Sequence, residues 1–316
     1  MTSQKIVILG TGGTIAGRAA SASDNIGYTA AEVGIAQLLS AIPATADMGP
    51  IVSEQVAQID SKDMSFAVWA QLAERVSHFL AQADVQGIVI THGTDTLEET
   101  AYFLQSVCRP AKPVVLTCAM RPATALVPDG PQNVLDAISV ARHAGAKGVV
   151  VVCAGVIHSA FDVQKVHTYQ LNAFGSGDAG PLGYVEEGSL RLLRNWPFVQ
   201  EVRPSIAIKN IAKLAKPEEC PRVEIVMSYA GASGATVQAL TAQGVQGLVV
   251  AATGNGTLHH ALEAALLQAQ GAGVKVVRAT RCPNGKVLAM PGDLIPDSNG
   301  LSPVKARVAM VLELLG

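Results

Sequence analysis

Cysteine is scarce and poorly placed for cross-linking. The five residues Cys108, Cys118, Cys153, Cys220 and Cys282 are scattered, odd in number and contain no C-x-x-C pair, so neither a disulfide framework nor a zinc site is expected. A reducing compartment follows. Charge is sparse as well, at 15% of residues with a net −2 at pH 7, which gives no electrostatic reason to expect nucleic acid or an acidic membrane as partner. No apolar run reaches the ~18 residues that a membrane span requires, and residues 1–5 lead into the first apolar segment without the basic and apolar regions of a signal peptide. The expected location is cytoplasmic. Low-complexity tracts and short-period repeats are also missing.

Core material is plentiful. With 316 residues and a hydrophobic fraction of 49%, the chain exceeds the size at which one core usually stops growing, so two domains are expected. Strand candidates at 5–9, 51–56, 87–90, 114–117 and 148–154 alternate with amphipathic segments, the pattern of βαβ units. Val68, Leu72, Val76 and Phe79 recur at helical spacing within 64–83, and 132–144 reads as a further helix. Thr29 with Glu32, and Thr96 with Glu99, have capping-box spacing. Near 196–221 the rhythm breaks at Pro197, Pro204, Pro217 and Pro221, which reads as a linker. A second alternation follows: strands at 223–226, 247–251 and 275–279, helices at 234–243 and 258–270, and a last helix opened by Ser302 and Pro303. The expected fold is α/β, with a large N-terminal domain (1–195) whose mostly parallel sheet is flanked by helices. A smaller C-terminal parallel α/β domain (222–316) completes it.

Two strand-to-loop segments carry hydroxyl groups to the place where such sheets bind ligands, the crevice beyond the carboxyl ends of the strands. One is Thr11-Gly-Gly-Thr-Ile-Ala-Gly17, which puts Thr14 in a glycine-rich loop. The other is Thr91-His-Gly-Thr-Asp-Thr-Leu-Glu-Glu-Thr100, which delivers Thr94 and Asp95 just before a helix. Hydrolysis of a primary amide needs a nucleophile, a base to activate it, and donors for the developing oxyanion. The glycines of the first loop look superficially like a dinucleotide fingerprint, but their spacing is shifted and no acidic residue ends a second strand about 20 residues on. Backbone approach to a substrate is the better use for them.

The pair of loops resembles the two threonine signatures of the bacterial-type L-asparaginase family. The resemblance extends over nearly the whole chain. Phe161-Asp-Val-Gln-Lys-Val-His-Thr168 is similar to the family's Asp-Val-x-Lys-x-x-Thr segment, and it implies that Thr94, Lys165 and Asp95 form a hydrogen-bonded triad while Thr14 attacks the amide carbon to give an acyl-enzyme. Tyr28 falls where the family has a tyrosine that activates this threonine. Ile59-Asp-Ser-Lys-Asp-Met64 resembles the loop that holds the amino acid's carboxylate and ammonium, implicating Ser61 and Lys62 together with Asp95. Lys62 replaces a neutral amide, and would repel a substrate ammonium unless its side chain turned away. Thr117-Cys-Ala-Met-Arg-Pro122 resembles the segment whose alanine carbonyl accepts from the substrate amide, here Ala119, and Asp129-Gly-Pro-Gln-Asn133 reads as loop-to-helix architecture. Thr253-Gly-Asn-Gly-Thr257 resembles a segment that a neighbouring subunit presents to the site, with Asn255 as the amide donor.

The resemblance implies a cytoplasmic amidohydrolase without metal or organic cofactor. It would be a homodimer or homotetramer with shared sites, acting on a small amino acid. A glutamate that the family takes from a partner subunit has no counterpart in 281–296, where Asp293 is the only acidic residue. His92 reads as a structural turn histidine, and His259 and His260, adjacent on a helix, cannot share one face. L-Glutamine is the closest rival substrate, since one methylene changes discrimination by only about 1–3 kcal/mol in a simple pocket. A non-catalytic amino-acid sensor is the rival of another class. The amide-hydrolysing subunit of a tRNA-dependent amidotransferase fits less well, because no extra domain or basic surface is evident.

Overall fold

The structure, a computed structural model, describes residues 4–197 and 208–316, so part of the expected linker at 196–221 lies outside the described residues. The chain divides into two compact units, one to residue 208 and one from 209. The strands of the first are β1 (Lys5–Gly12), β2 (Arg18–Ala19), β3 (Tyr28–Thr29), β4 (Ile51–Ile59), β5 (Val85–Thr91), β6 (Pro113–Thr117), β7 (Gly148–Cys153), β8 (Val156–Ser159), β9 (Gln164–Lys165), β10 (Phe174–Gly175), β11 (Gly183–Glu186) and β12 (Ser189–Leu192). Its helices are α1 (Ile35–Ser40), α2 (Phe66–Leu80), α3 (Leu97–Cys108) and α4 (Gly130–Arg142).

Eight strands form one sheet in the order β12-β11-β8-β7-β6-β5-β1-β4, of which β7 through β4 run parallel. Ile6–Leu9, Ile88–Ile90, Val114–Leu116 and Val149–Val152 are fully buried, as expected of parallel strands covered on both faces. The helices α1 and α4 pack on the face carrying Ile6, Ile8, Val89, Val115 and Val150. The helix α2 contacts β5, α3 contacts β7, and these two helices pack on each other. From β1 the chain moves to the sheet edge at β4 and then returns to β5 on the other side of β1. The crevice between the ends of β1 and β5 is therefore the topological switch point, where open α/β sheets bind their ligands.

Most parallel strands extend beyond the segments expected from the sequence, although β7 stops at Cys153, and the ribbons β2-β3 and β9-β10 were not anticipated, nor were the antiparallel strands β8, β11 and β12 of the large sheet. The turns joining them explain why. Ala154-Gly155 and Glu187-Gly188 connect β7 to β8 and β11 to β12 as two-residue turns with all four φ angles positive, between 48° and 75°. That is the type I′ geometry usually signalled by Asn-Gly or Asp-Gly. Neither capping box forms: Thr29 lies in β3, six residues before α1, and Thr96 begins α3 without a side-chain cap bond.

The second unit is the smaller. A short helix, α5 (Ile208–Ile211), stands at its start, followed by β13 (Val223–Met227), α6 (Ala235–Ala242), β14 (Gly247–Ala252), α7 (His260–Gly271), β15 (Lys275–Thr280) and α8 (Pro303–Leu314). Its three strands are parallel, in the order β13-β14-β15. Their core gathers Val226, Leu248, Val250, Val237, Leu262 and Leu266.

Asn133 on α4 ties two strand ends together. Its Nδ2 donates to the Cys118 carbonyl over 2.9 Å, and its Oδ1 accepts from the Ala154 N–H over 2.9 Å. Asn133→Ala strands the buried Cys118 carbonyl and removes the bond to the exposed Ala154 N–H, and is expected to destabilise the fold by about 1–3 kcal/mol. The shift of the urea midpoint at constant slope checks this.

Candidate active site

The site forms because backbone can touch backbone at the switch point. Gly13 has φ +84°, and a Cβ there would lie 2.3 Å from Gly93 Cα. A Cβ on Gly93 would in turn fall 2.4 Å from Ser61 Oγ and 3.1 Å from Gly13 Cα. Only glycine fits at both positions, so the loops carrying Thr14 and Thr94 meet through the residues that precede them. Threonine hydroxyls and backbone groups stitch the strand ends below: Thr11 Oγ1 donates to the Thr91 carbonyl, the His92 N–H to the Thr117 carbonyl, and Thr117 Oγ1 to the Val152 carbonyl, each over 2.9 Å.

Thr14 opens a single 3₁₀ turn after β1 and is buried. Its Oγ1 lies 2.7 Å from Tyr28 Oη. The ribbon of β2 and β3, in which Ala19 pairs with Tyr28, carries the phenol back over the loop. Gly17 leaves room for the ring, since a Cβ there would come within 2.9 Å of Tyr28 Cδ2.

Thr94, also buried, faces the other group. Lys165 Nζ donates to Thr94 Oγ1 over 2.8 Å and pairs with Asp95 Oδ1 at 2.5 Å. Lys165 reaches this point from β9, held by antiparallel pairing with β10. Ser61 joins the loops: its Oγ accepts from the Asp95 N–H over 3.2 Å, and its carbonyl accepts from Thr96 Oγ1 over 2.8 Å. The hydroxyl expected to cap α3 thus anchors the neighbouring loop.

Ala119 is buried beyond β6, in a turn shaped by Asp129, whose carboxylate accepts from the N–H groups of Met120 and Arg121, each over 2.9 Å. Beside it, Cys118 Sγ and Cys153 Sγ are 3.6 Å apart. The contact with Cys153 and burial hold the Cys118 thiol well above its ordinary proton affinity, so it is an unreactive packing group. Asn255 belongs to the second unit, in the turn between β14 and α7, where its Oδ1 accepts from the Leu288 N–H over 2.7 Å and its Nδ2 donates to the Leu288 carbonyl over 3.2 Å.

The Lys62 ammonium is engaged within its own loop. Its Nζ lies 2.7 Å from Asp60 Oδ2, on an exposed side chain. The hydrogen bond to Asp60, followed by the charge of that carboxylate, raises its pKa. Sequence reasoning gave His92 no partners beyond a turn, yet its ring is completely buried between the Gly93 carbonyl and Thr100 Oγ1. Burial pushes its pKa down to about 4. Among the described residues, no cluster of His, Cys, Asp and Glu could hold a metal ion.

Two domain models match this chain: "Asparaginase, N-terminal" over residues 5–198, and "Glutaminase/Asparaginase C-terminal domain" over residues 222–315. With the fold and the loops described above, they define the class of protein: an amidohydrolase. The chain belongs to the glutaminase/asparaginase family. It is 39% identical to L-asparaginase 2 of Escherichia coli (strain K12), over 98% of this chain and 88% of that protein. It is 38% identical to the glutaminase-asparaginase of Pseudomonas fluorescens biotype A, over 98% and 86%. The crystal structure of the probable cytoplasmic L-asparaginase from Campylobacter jejuni superposes with a TM-score of 0.91 at 38% identity, covering 99% of this chain and 95% of that one.

The charges at His92 and Lys62 each set an expectation. In the unfolded chain His92 titrates near its ordinary value of 6.5, whereas in the fold it takes a proton only near 4. Stability from this group is therefore fully present above pH 6.5 and falls as pH drops towards 4, by about 3 kcal/mol. Urea midpoints across that window should decline less steeply in His92→Asn than in the parent. For Lys62→Gln, the engagement of the ammonium with Asp60 predicts a KM for an α-amino substrate within about twofold of the parent. A marked improvement in KM would place the lysine beside the substrate.

Proposed function

We propose that this protein hydrolyses the side-chain amide of L-asparagine to L-aspartate and ammonia, through an acyl-enzyme on Thr14. The observation that carries the reading is the pair of buried hydroxyls at the switch point, each with a different partner. A threonine hydroxyl is a weak nucleophile until a neighbour takes its proton. Tyr28 Oη, at 2.7 Å from Thr14 Oγ1, is in reach to do so. Attack by Thr14 Oγ1 on the amide carbon opens a tetrahedral intermediate; the proton taken from Thr14 passes to the nitrogen, and collapse breaks the C–N bond and expels ammonia, leaving an ester on Thr14. Thr94 then directs water to that ester, with Lys165 relaying the proton and Asp95 orienting Lys165. The contacts of Lys165 with Thr94 and Asp95 support those roles. Hydrolysis frees Thr14 and L-aspartate.

Ser61, Asp95 and the Ala119 carbonyl are assigned to substrate recognition, with Lys62 contributing to the same loop through its bond to Asp60. Asn255 is assigned to a site shared between copies of the chain, as a homodimer or homotetramer. The assignment of the protein to the cytoplasm is supported by its five free thiols and by its likeness to the probable cytoplasmic L-asparaginase from Campylobacter jejuni. L-Glutamine stays as a second substrate of the same chemistry, because relatives of near-equal identity are named for both activities.

Ammonia release from L-asparagine, L-glutamine and D-asparagine, measured side by side, tests the reading. L-Asparagine is expected to turn over fastest. Thr14→Ala should lower kcat by at least about 10³-fold, and Lys165→Met by about 10²–10⁴-fold. An unaffected rate in Thr14→Ala removes that residue from the chemistry, and no turnover in the parent favours an amino-acid sensor.

A further inference from the structure

Beneath the contact of Gly13 with Gly93 runs a chain of polar side chains to which the mechanism assigns no role. Trp69 Nε1 lies 2.8 Å from Thr100 Oγ1, Thr100 Oγ1 lies 2.9 Å from His92 Nε2, and His92 Nδ1 lies 2.7 Å from the Gly93 carbonyl oxygen. All three side chains are buried, His92 and Thr100 completely. The end groups make the chain one-way. An indole N–H only donates and a carbonyl only accepts. Thr100 therefore receives from Trp69 and gives its single hydrogen to His92 Nε2, which leaves the imidazole hydrogen on Nδ1, donated to Gly93. Burial keeps the ring neutral at ordinary pH, which this arrangement requires.

We infer that Trp69, Thr100 and His92 are positioning residues that fix the Gly93–Thr94 peptide and, through it, the alignment of Thr94. This inference rests on the catalytic role given to Thr94 above. A trans peptide is a rigid plane with its carbonyl and N–H on opposite sides, so pinning the Gly93 oxygen also sets the direction of the Thr94 N–H and the place of its Cα. Gly93 is the residue against which Gly13 packs, so the same three side chains hold the platform shared by both threonine loops. The chain begins in α2 and passes through α3, which ties that platform to the helical layer. A purely space-filling role would need no directed hydrogen bonds, and leaving any one unmade is costly at this depth.

The experiment combines one structural and two functional readouts. In protein labelled with ¹⁵N-histidine, the His92 resonances should report the Nδ1–H tautomer, and an Nε2–H tautomer overturns the chain. Thr100→Val keeps the shape but removes the hydroxyl. Its kcat for L-asparagine should fall by about tenfold or more with KM within about twofold, because small misplacements of reacting groups are costly. Deuterium exchange at the Thr94 amide should quicken by about tenfold while amides in β6 stay protected, as expected of a local loosening. Thr100→Ser should restore both values. Trp69→Phe, which keeps the stack on Phe103 with ring centroids 4.9 Å apart, should give a milder form of the same effects even if Thr100→Val folds poorly. Unchanged kcat and exchange in the folded variants overturn the positioning role. If the parent turns over neither amide, the proposed function fails, while the tautomer and the exchange rates still decide the chain.

Discussion

The approach of two glycine backbones at the end of the parallel sheet is the constraint on which the site depends. Gly13 and Gly93 each stand one residue before a threonine, and each occupies space that a methyl group would close. Their contact brings together loops from β1 and β5, which flank the point where the sheet order reverses. Ser61 then attaches a third loop to the same spot through Asp95 and Thr96. Buried, β-branched strands supply a rigid base, and hydrogen bonds between the strand ends keep the loops from drifting apart.

On that base the polar groups are sorted by depth. The deepest, His92, is neutral and fully paired, and serves to orient backbone. The two threonine hydroxyls sit above it, each buried and each with a different neighbour: a phenol for Thr14 and an amine for Thr94. Charge enters only at the rim, where Asp95 is half exposed and Lys165 is drawn inward to meet it. This order avoids burying an unpaired charge while keeping the Lys165 ammonium in contact with the buried Thr94 hydroxyl. Lys62, on the loop that also carries Ser61, pairs with Asp60, so its charge is met within that loop.

Much of this was legible in the amino-acid sequence. Runs such as Ile6–Leu9 and Val149–Val152 announced parallel strands because both of their faces are buried, and Thr14, Thr94 and Asp95 stood out because polar groups followed such runs, whereas Lys165 was marked by the resemblance of its segment to the family's. What stayed hidden depended on tertiary partners. Thr96 and Glu99 have the spacing of a cap, yet the Thr96 hydroxyl bonds to Ser61 instead. The antiparallel strands β8, β11 and β12 escaped notice because Ala154 and Glu187 adopt positive φ without being the residues that advertise it. His92 looked like an ordinary turn residue, since its side-chain partner Thr100 lies on a helix eight residues onward, and Thr100 in turn meets Trp69 from a helix that precedes the strand.

The most direct test of the account is acid quenching during turnover of L-asparagine, followed by peptide mass analysis. A β-aspartyl ester on the peptide that carries Thr14, and on no other, is the predicted result. An adduct that maps to Thr94 or to any other residue contradicts it.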